Sequence, residues 1–536
     1  MRGRMMQTPL LISSLIEHAG RVYGTQEIVS RTVEGPIHRY TWLDARNRSI
    51  QLAQALGAHG ITAGDRIGTL GWNTYRHLEL YYGISGMGAV CHTLNPRLHP
   101  TELVYIVNHA EDRILFVDLT FVPLAEAVAD KLPGVERYVV LTDSENMPET
   151  ALSNAIAYED FIAGSDGDYE WPVLDEGDAA ALCYTSGTTG HPKGALYTHR
   201  STVLHAFGVA MPDVFNMRPS TCVLPIVPLF HACSWGIAYS APLAGAKIVF
   251  PGPRYDPEAL TDLMTAESVN YCAGVPSEFI PLVQYWRDHG NKPPSLAMAV
   301  MGGTAPPPSL CAALEEDFGI EFRHAWGMTE MSPLGTVNTL MPEHRALPLE
   351  QRRIFQTKQG RPPYGVEVRI VDDDGNRLPH DGVAFGELQV RGPWVIQSYF
   401  KDDESRLTED GWFPTGDVAT IDSQCYIHIT DRSKDLIKSG GEWISSIDVE
   451  NTAMGHDDIV MAAVIGIPDE RWDERPILIA VAVPDSNPTK ESVLEHLAGT
   501  LAKWQLPDEV YFVDELPMGA TGKVQKTKLR EQYAAE

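Results

Sequence analysis

Positive charge is scarce in this 536-residue chain: 42 Lys and Arg stand against 71 Asp and Glu, a formal net charge of −29. That balance argues against non-specific attachment to nucleic acid or to an anionic membrane, since both depend on cationic surface. Long apolar runs are missing too. None approaches the roughly 18 residues of a membrane span, and the longest are strand-like pieces such as Ile477 to Val483. The seven cysteines are odd in number and scattered, with no Cys-x-x-Cys pair and no Cys/His cluster. A disulfide scaffold or zinc ribbon is therefore disfavoured, and reduced thiols of a cytoplasmic protein are expected. Met1 to Arg4 followed by Leu10 to Ile16 has the outline of a signal peptide. Serines break the apolar stretch, Glu17 and His18 follow at once, and no small-x-small site appears, so an amphipathic first helix is expected instead.

What is present is ordinary globular material, 44% apolar and 21% charged. At about 150 residues per domain the length suggests three to four domain-sized units. From Gly20 to Leu174, helical patterns alternate with apolar runs such as Arg66 to Leu70, Ile114 to Val117 and Tyr138 to Leu141, the signature of a largely parallel α/β sheet. A second such unit runs from Asp178 to about Leu340, with strands expected at Ala179 to Tyr184, Lys247 to Phe250 and Leu296 to Met301. From about Gly360 to Thr430 the texture becomes β-alternation around turn residues such as Asp373-Asp374-Gly375-Asn376. About 100 further residues can hold a core of their own. The expected fold is α/β: a large N-terminal domain, 1–432, of two parallel-sheet subdomains (1–175, 176–350) and a small β-subdomain (351–432). A small, mobile α+β domain, 433–536, follows.

Tyr184-Thr185-Ser186-Gly187-Thr188-Thr189-Gly190-His191-Pro192-Lys193-Gly194 follows an apolar strand and is expected to lead into a helix. Glycines bring backbone N–H groups close to an anion, hydroxyls add donors and Lys193 adds charge, which together make a phosphate cradle. The spacing does not match the P-loop NTPase pattern. Taken alone, such a loop is more often plain surface.

The loop resembles the signature of the acyl-adenylate-forming superfamily, and further motifs of that family follow in order. They are Gly302-Gly303-Thr304-Ala305-Pro306, Ala325-Trp326-Gly327-Met328-Thr329-Glu330, Gly411 to Asp417, Asp431 to Trp443, and Pro517 to Lys526. The resemblance spans essentially the whole chain. It implies an AMP-forming acyl-CoA synthetase: a carboxylate and ATP give an acyl-adenylate and pyrophosphate, then coenzyme A gives the thioester and AMP. ATP, CoA and a small carboxylic acid are the implied partners, Mg2+ the implied metal, and a homodimer the implied assembly. Nucleic acid and stable membrane association are not expected.

By the same resemblance, Thr185, Ser186, Gly187, Thr188, Thr189 and Lys193 hold the ATP phosphates, and Thr329 contacts the α-phosphate. Glu330, with Thr185, binds Mg2+, a hard cation suited to carboxylate oxygen. Gly303, Thr304, Ala305, His324, Ala325 and Trp326 wall the adenine and the acyl site, while Asp417 and Arg432 hold the ribose. Lys523 is the expected catalytic residue, bridging carboxylate and α-phosphate where negative charge gathers in the transition state. It lies far from the loop in sequence and reaches it only if the last domain closes. Lys434 is the implied hinge, about which rotation brings in Ser439, Gly440, Gly441, Glu442 and Trp443 to line a CoA tunnel.

His231 is expected beside the acyl carboxylate, with Trp235, Val275, Pro276, Gly302, Gly327, Met328 and Pro333 as acyl walls. These stretches contain no charged residue to pair with a second polar group on the acid, so an uncharged short-to-medium chain is favoured. The branch most resembled includes 3-methylmercaptopropionate–CoA ligases and medium-chain fatty acyl-CoA ligases, and thioether and methylene are too alike for residue types to separate. A luciferase-like oxygenase and a non-catalytic acyl-nucleotide sensor are the rival readings. Cations concentrate where the anions would meet. Residues 179–212 contain Lys193 and Arg200 and no acid, and residues 516–530 hold Lys523, Lys526, Lys528 and Arg530 beside none after Leu516.

Overall fold

A computed structural model describes residues 3–185, 191–432, 435–439, 442–469, 471–484, 486–519 and 523–533. Two large sheets form the body of the chain. The seven-stranded sheet runs Ala155–Ala157, Arg137–Val140, Asp112–Val117, Arg66–Leu70, Val90–Thr93, Ala179–Tyr184, Gly194–Thr198, parallel except for its last pair. The eight-stranded sheet runs Leu334–Val337, Glu321–Gly327, Met298–Gly302, Tyr271–Gly274, Cys222–Pro225, Lys247–Phe250, Glu27–Arg31, Ile37–Thr41, antiparallel only at its two ends. The inner strands are continuous apolar runs because helices cover both faces.

The sheets do not respect the sequential partition at residue 175. Ile28 and Val29 pair with Ile248 and Val249, which places the first two strands in the second sheet. Ala181 and Leu182 pair on one side with Cys91 and His92, so the strand before the expected phosphate loop belongs to the first sheet. Strand order in parallel sheets is set by crossover connections, which a linear reading of alternating elements cannot rank.

A second departure concerns the loop itself. It leads into the strand Gly194–Thr198, antiparallel to Ala179–Tyr184 with Tyr184 opposite Gly194, and the helix His199–Ala210 begins only afterwards. The strands that flank the expected phosphate loop are therefore a hairpin, unlike the strand and helix that flank a P-loop.

The helix Tyr75–Gly86 is buried on every side and helps join the two sheets, Tyr81 and Tyr82 donating their hydroxyls to the carbonyls of Leu229 and Ala238. A third, antiparallel sheet comprises Glu367–Val371, Phe385–Arg391, Phe413–Ile421 and Ile427–Arg432. The last unit has strands Ile437–Ser439, Glu442–Ile444, Ile459–Asp469, Asp473–Ala482 and Glu509–Phe512. It has its own core around Val449, Val464, Leu478, Val493 and Leu497. Among the described residues no helix is long and apolar enough to cross a membrane.

Candidate active site

The expected residues gather at the carboxyl ends of strands, the usual position for ligands in open α/β sheets. Thr185 follows Ala179–Tyr184, Val275 follows Tyr271–Gly274, Gly303 follows Met298–Gly302, and Trp326 and Gly327 end Glu321–Gly327.

Asp417 is a buried strand residue. It sits opposite Arg432 across an antiparallel pair. One oxygen meets Arg432 Nε at 3.1 Å and the other accepts the Trp326 indole N–H at 3.0 Å. Burial pushes its carboxyl above the ordinary range, against the pull of Arg432 and Trp326. The indole of Trp326 in turn lies over Gly335, where a Cβ would approach its ring to 2.5 Å.

Glu330 is likewise buried. Its Oε1 accepts the Tyr399 hydroxyl at 2.7 Å, and the Thr329 carbonyl accepts the Tyr197 hydroxyl at 2.5 Å. Tyr399 carries Lys193 over its ring, Nζ 4.9 Å from the centroid. Neither tyrosine belongs to a motif singled out in the sequence. They fix the geometry of Thr329 and Glu330 from outside it, and only their being aromatic residues with a polar tip could have drawn notice.

Lys523 comes from the last unit yet lies within the field of Arg432, Asp417 and Glu330. Burial, with repulsion from Arg432, lowers its pKa to about 8, while Asp417 and Glu330 oppose the shift. Burial also lowers His231 to about 4, helped by Lys523 and Arg97, so its imidazole is neutral at physiological pH. His324 directs Nδ1 at the carbonyls of Lys358 and Thr357, 3.2 and 3.3 Å away. Carbonyls only accept, so Nδ1 carries the proton and Nε2 is an acceptor.

Trp235, Val275, Ala325, Trp326 and Met328 belong to one apolar cluster. Gly302 makes room there: a Cβ would stand 2.8 Å from the Ala325 carbonyl and 3.3 Å from the Trp235 ring. At Gly327 a Cβ would fall 1.8 Å from the Pro333 carbonyl. The sequence did not foretell the backbone that carries Trp235. Ala232, Cys233, Ser234, Trp235 and Gly236 are all left-handed, with φ of 41, 51, 52, 52 and 77°. Such a turn costs roughly 1–2 kcal/mol per non-glycine residue. Anchors on its approach offset the strain: the Asn73 amide donates to Pro225 and Val227 and accepts from the Leu229 N–H, and the Ser234 hydroxyl bonds Val227 at 3.2 Å.

Ser186, Gly187, Thr188, Thr189, Lys434, Gly440 and Gly441 lie outside the described residues, as does the Glu442 side chain. Ser439 accepts a hydrogen bond from Arg475 within the last unit, and Trp443 is exposed, with Lys438 5.7 Å from its ring centre. Their side chains thus find partners in the last unit, while Lys523 faces the groups of the larger domain.

The AMP-binding enzyme family model matches residues 16–400, and the AMP-binding enzyme C-terminal domain matches 448–523. The chain belongs to the AMP-binding enzyme family. A 3-methylmercaptopropionyl-CoA ligase of Ruegeria lacuscaerulensis is 50% identical over 99% of both chains. A medium-chain-fatty-acid–CoA ligase of Ectopseudomonas oleovorans is 48% identical over 99% of this chain and 98% of its own. Among solved structures, the anthranilate CoA ligase AuaEII in complex with anthranoyl-AMP superposes with a TM-score of 0.86 at 26% identity, covering 98% of each chain. This AMP-binding enzyme is accordingly an AMP-forming acid–CoA ligase, in agreement with the sequence reading.

Proposed function

We propose that the protein activates 3-methylmercaptopropionate, with a medium- or short-chain fatty acid as the alternative substrate, and that Lys523 is its adenylation catalyst. The meeting of Lys523 with Asp417, Arg432 and Glu330 supports this most directly, since a lysine from the last domain enters a crevice that already has a ribose acceptor pair and a buried carboxylate.

In the first step the acid's carboxylate oxygen attacks the α-phosphorus of ATP. The new O–P bond forms as the bond to the bridging oxygen breaks, and pyrophosphate leaves with that electron pair. The ammonium of Lys523 stabilises negative charge shared between carboxylate and α-phosphate. Thr329, held through its carbonyl by Tyr197, offers its hydroxyl to the same phosphate. Asp417 accepts from the ribose hydroxyls while Arg432 and Trp326 hold it in place. The acceptor Nε2 of His324 suits the adenine amine, beside Gly303, Thr304, Ala305 and Ala325. Glu330 fits Mg2+: it is a buried carboxylate oriented by Tyr399, with an oxygen to spare, and hard cations favour such donors. Mg2+ supplies charge neutralisation to the phosphates when bound, with Thr185 as second donor.

In the second step the thiol sulfur of CoA attacks the acyl carbon, the C–O bond to AMP breaks, and the thiol proton passes to solvent. We assign the CoA tunnel to Ser439–Trp443, presented when the last domain turns about Lys434. His231, neutral, sits at the carboxylate end of an uncharged acyl wall made of Trp235, Val275, Pro276, Gly302, Gly327, Met328 and Pro333, which matches a thioether or alkyl chain.

The test is a panel of 3-methylmercaptopropionate, propionate, butyrate, hexanoate, octanoate and longer acids with ATP and CoA, ranked by kcat/KM. Binding differences of this kind are worth about 1–3 kcal/mol, so a preference for 3-methylmercaptopropionate over hexanoate of about tenfold or more is expected. A higher value for hexanoate or octanoate selects the fatty-acid reading. Sedimentation of the purified chain tests the homodimer.

A further inference from the structure

We propose that the helix Pro100–Ala110 positions the phosphate loop, with His109 holding its incoming stem at Tyr184 and Tyr105 its outgoing stem at His191. The inference rests on the reading of Thr185 to Thr189 as the ATP-phosphate site, and its two helix residues, Tyr105 and His109, lie outside every motif of that site.

The hairpin brings the two stems together. The Thr185 N–H donates to the Lys193 carbonyl at 2.8 Å, and the Lys193 N–H donates to Thr185 Oγ1 at 3.3 Å. Each stem then meets the same helix. The Tyr184 hydroxyl lies 2.6 Å from His109 Nδ1. Tyr105 is one helical turn from His109, on the same face, and its ring stacks on both histidines. Centroids are 5.3 Å apart at 16° for His109 and 4.4 Å apart at 19° for His191. His109, Tyr105 and His191 thus form a column of near-parallel rings running from one stem to the other.

Charge and hydrogen bonding suit this arrangement. Burial, with Lys401 nearby, lowers the His109 pKa, and burial raises that of Tyr184. A neutral imidazole and a protonated phenol thus share one hydrogen bond between Nδ1 and the hydroxyl. The helix is itself braced. Glu111, at its end, bridges Arg66 at 2.6 Å and Lys401 at 2.7 Å. The Phe400 ring meets His109 edge-on at 5.7 Å, and the Phe400 N–H donates to the Gly194 carbonyl at 2.8 Å. Tyr399, the partner of Glu330, is the neighbouring residue.

A Gly-rich loop that holds a phosphate gives up conformational freedom, because glycine backbone has the most to lose. Holding both stems on a braced helix reduces that loss. The effect belongs to ATP binding and adenylation, because thioester formation starts after pyrophosphate has left.

The test separates the half-reactions in the full-length enzyme. Adenylation is followed by ATP–pyrophosphate exchange, and thioester formation is started from the synthetic adenylate of the best acid in the panel. Tyr105→Ala and His109→Ala are expected to lower kcat/KM for ATP on the order of 10- to 100-fold, the scale of a 1 Å misplacement. The change should appear chiefly in KM, with thioester formation unchanged. Tyr105→Phe, which keeps the stack, and His109→Asn, which keeps an acceptor near Nδ1, should restore most of the loss. An equal fall in both half-reactions together with a lowered Tm would overturn the inference, and so would an unchanged KM for ATP. If Thr185→Ala and Lys193→Ala also leave that KM untouched, the loop is not the ATP site, and the reading beneath the inference fails with it.

Discussion

Asp431 accepts the backbone N–H of Ser446 at 2.6 Å, tying the last strand of the larger domain to the first helix of the smaller one. The contact is buried on both sides. Ser445 reinforces it by donating to the Thr430 carbonyl, and Lys526 by reaching Ser446 Oγ at 2.5 Å and Glu450 at 2.7 Å. If the smaller domain turns between half-reactions, these bonds hold only the arrangement in which Lys523 faces Asp417. A hydrogen bond to a charged group contributes about 1.5–3 kcal/mol, and its loss shifts the balance between two placements by that amount. Asp431→Ala should therefore slow adenylation about tenfold or more, with thioester formation from supplied acyl-adenylate kept or raised. Equal loss in both half-reactions would count against a latch.

The proposed role of Lys523 needs its ammonium form, and burial lowers its pKa to about 8. The charged form exists below that value and is lost above it, so kcat/KM for adenylation should fall as pH rises through about 8. In the ternary complex, bound phosphate and carboxylate favour the ammonium, so the limb in kcat should lie at higher pH. Lys523→Ala should lose on the order of 10²-fold or more in pyrophosphate exchange, with ATP binding largely kept. Near-normal exchange in that variant sinks the assignment. Lys523→Arg stays charged throughout and should lose the alkaline limb even where its rate is low.

Gly302→Ala would place a methyl 2.8 Å from the Ala325 carbonyl and 3.3 Å from the Trp235 indole. The indole must give way, because the carbonyl belongs to the backbone of an inner strand, where Ala325 is in register with Gly302 on one side and Val337 on the other. The acid panel should show kcat/KM falling on the order of 10- to 100-fold, within the range of pocket-shape effects, and more steeply for the longer acids. A uniform fall across the panel would place Gly302 outside the acyl wall.

Tyr399→Phe removes the hydroxyl that orients Glu330 and leaves the ring under Lys193. Loss of such an outer partner typically costs 10- to 100-fold in metal affinity or activity, so the Mg2+ concentration for half-maximal adenylation should rise about tenfold. Chelation with EDTA should stop adenylation while thioester formation from supplied acyl-adenylate continues. Unchanged Mg2+ dependence in Tyr399→Phe would argue that Glu330 is not the metal ligand.

The amino-acid order by itself determined the chemistry and many of the elements. The bounds Arg66–Leu70, Ala179–Tyr184 and Lys247–Phe250 were readable from local apolar runs. The resemblance to a known family singled out Asp417, Arg432, Glu330 and Lys523, because the motifs that carry it are short and contiguous in sequence. Tertiary structure decided what depends on distant pairing. It moved Glu27–Thr41 into the second sheet, paired the two stems of the expected phosphate loop as a hairpin, and buried Glu330 and Asp417. It also brought Tyr399, Tyr105 and His109 to the site from stretches without a signature, and it stabilised a left-handed turn under Trp235 that local preference opposes. Each of these outcomes follows from contacts between residues far apart in the chain, which periodicity and motif spacing do not encode.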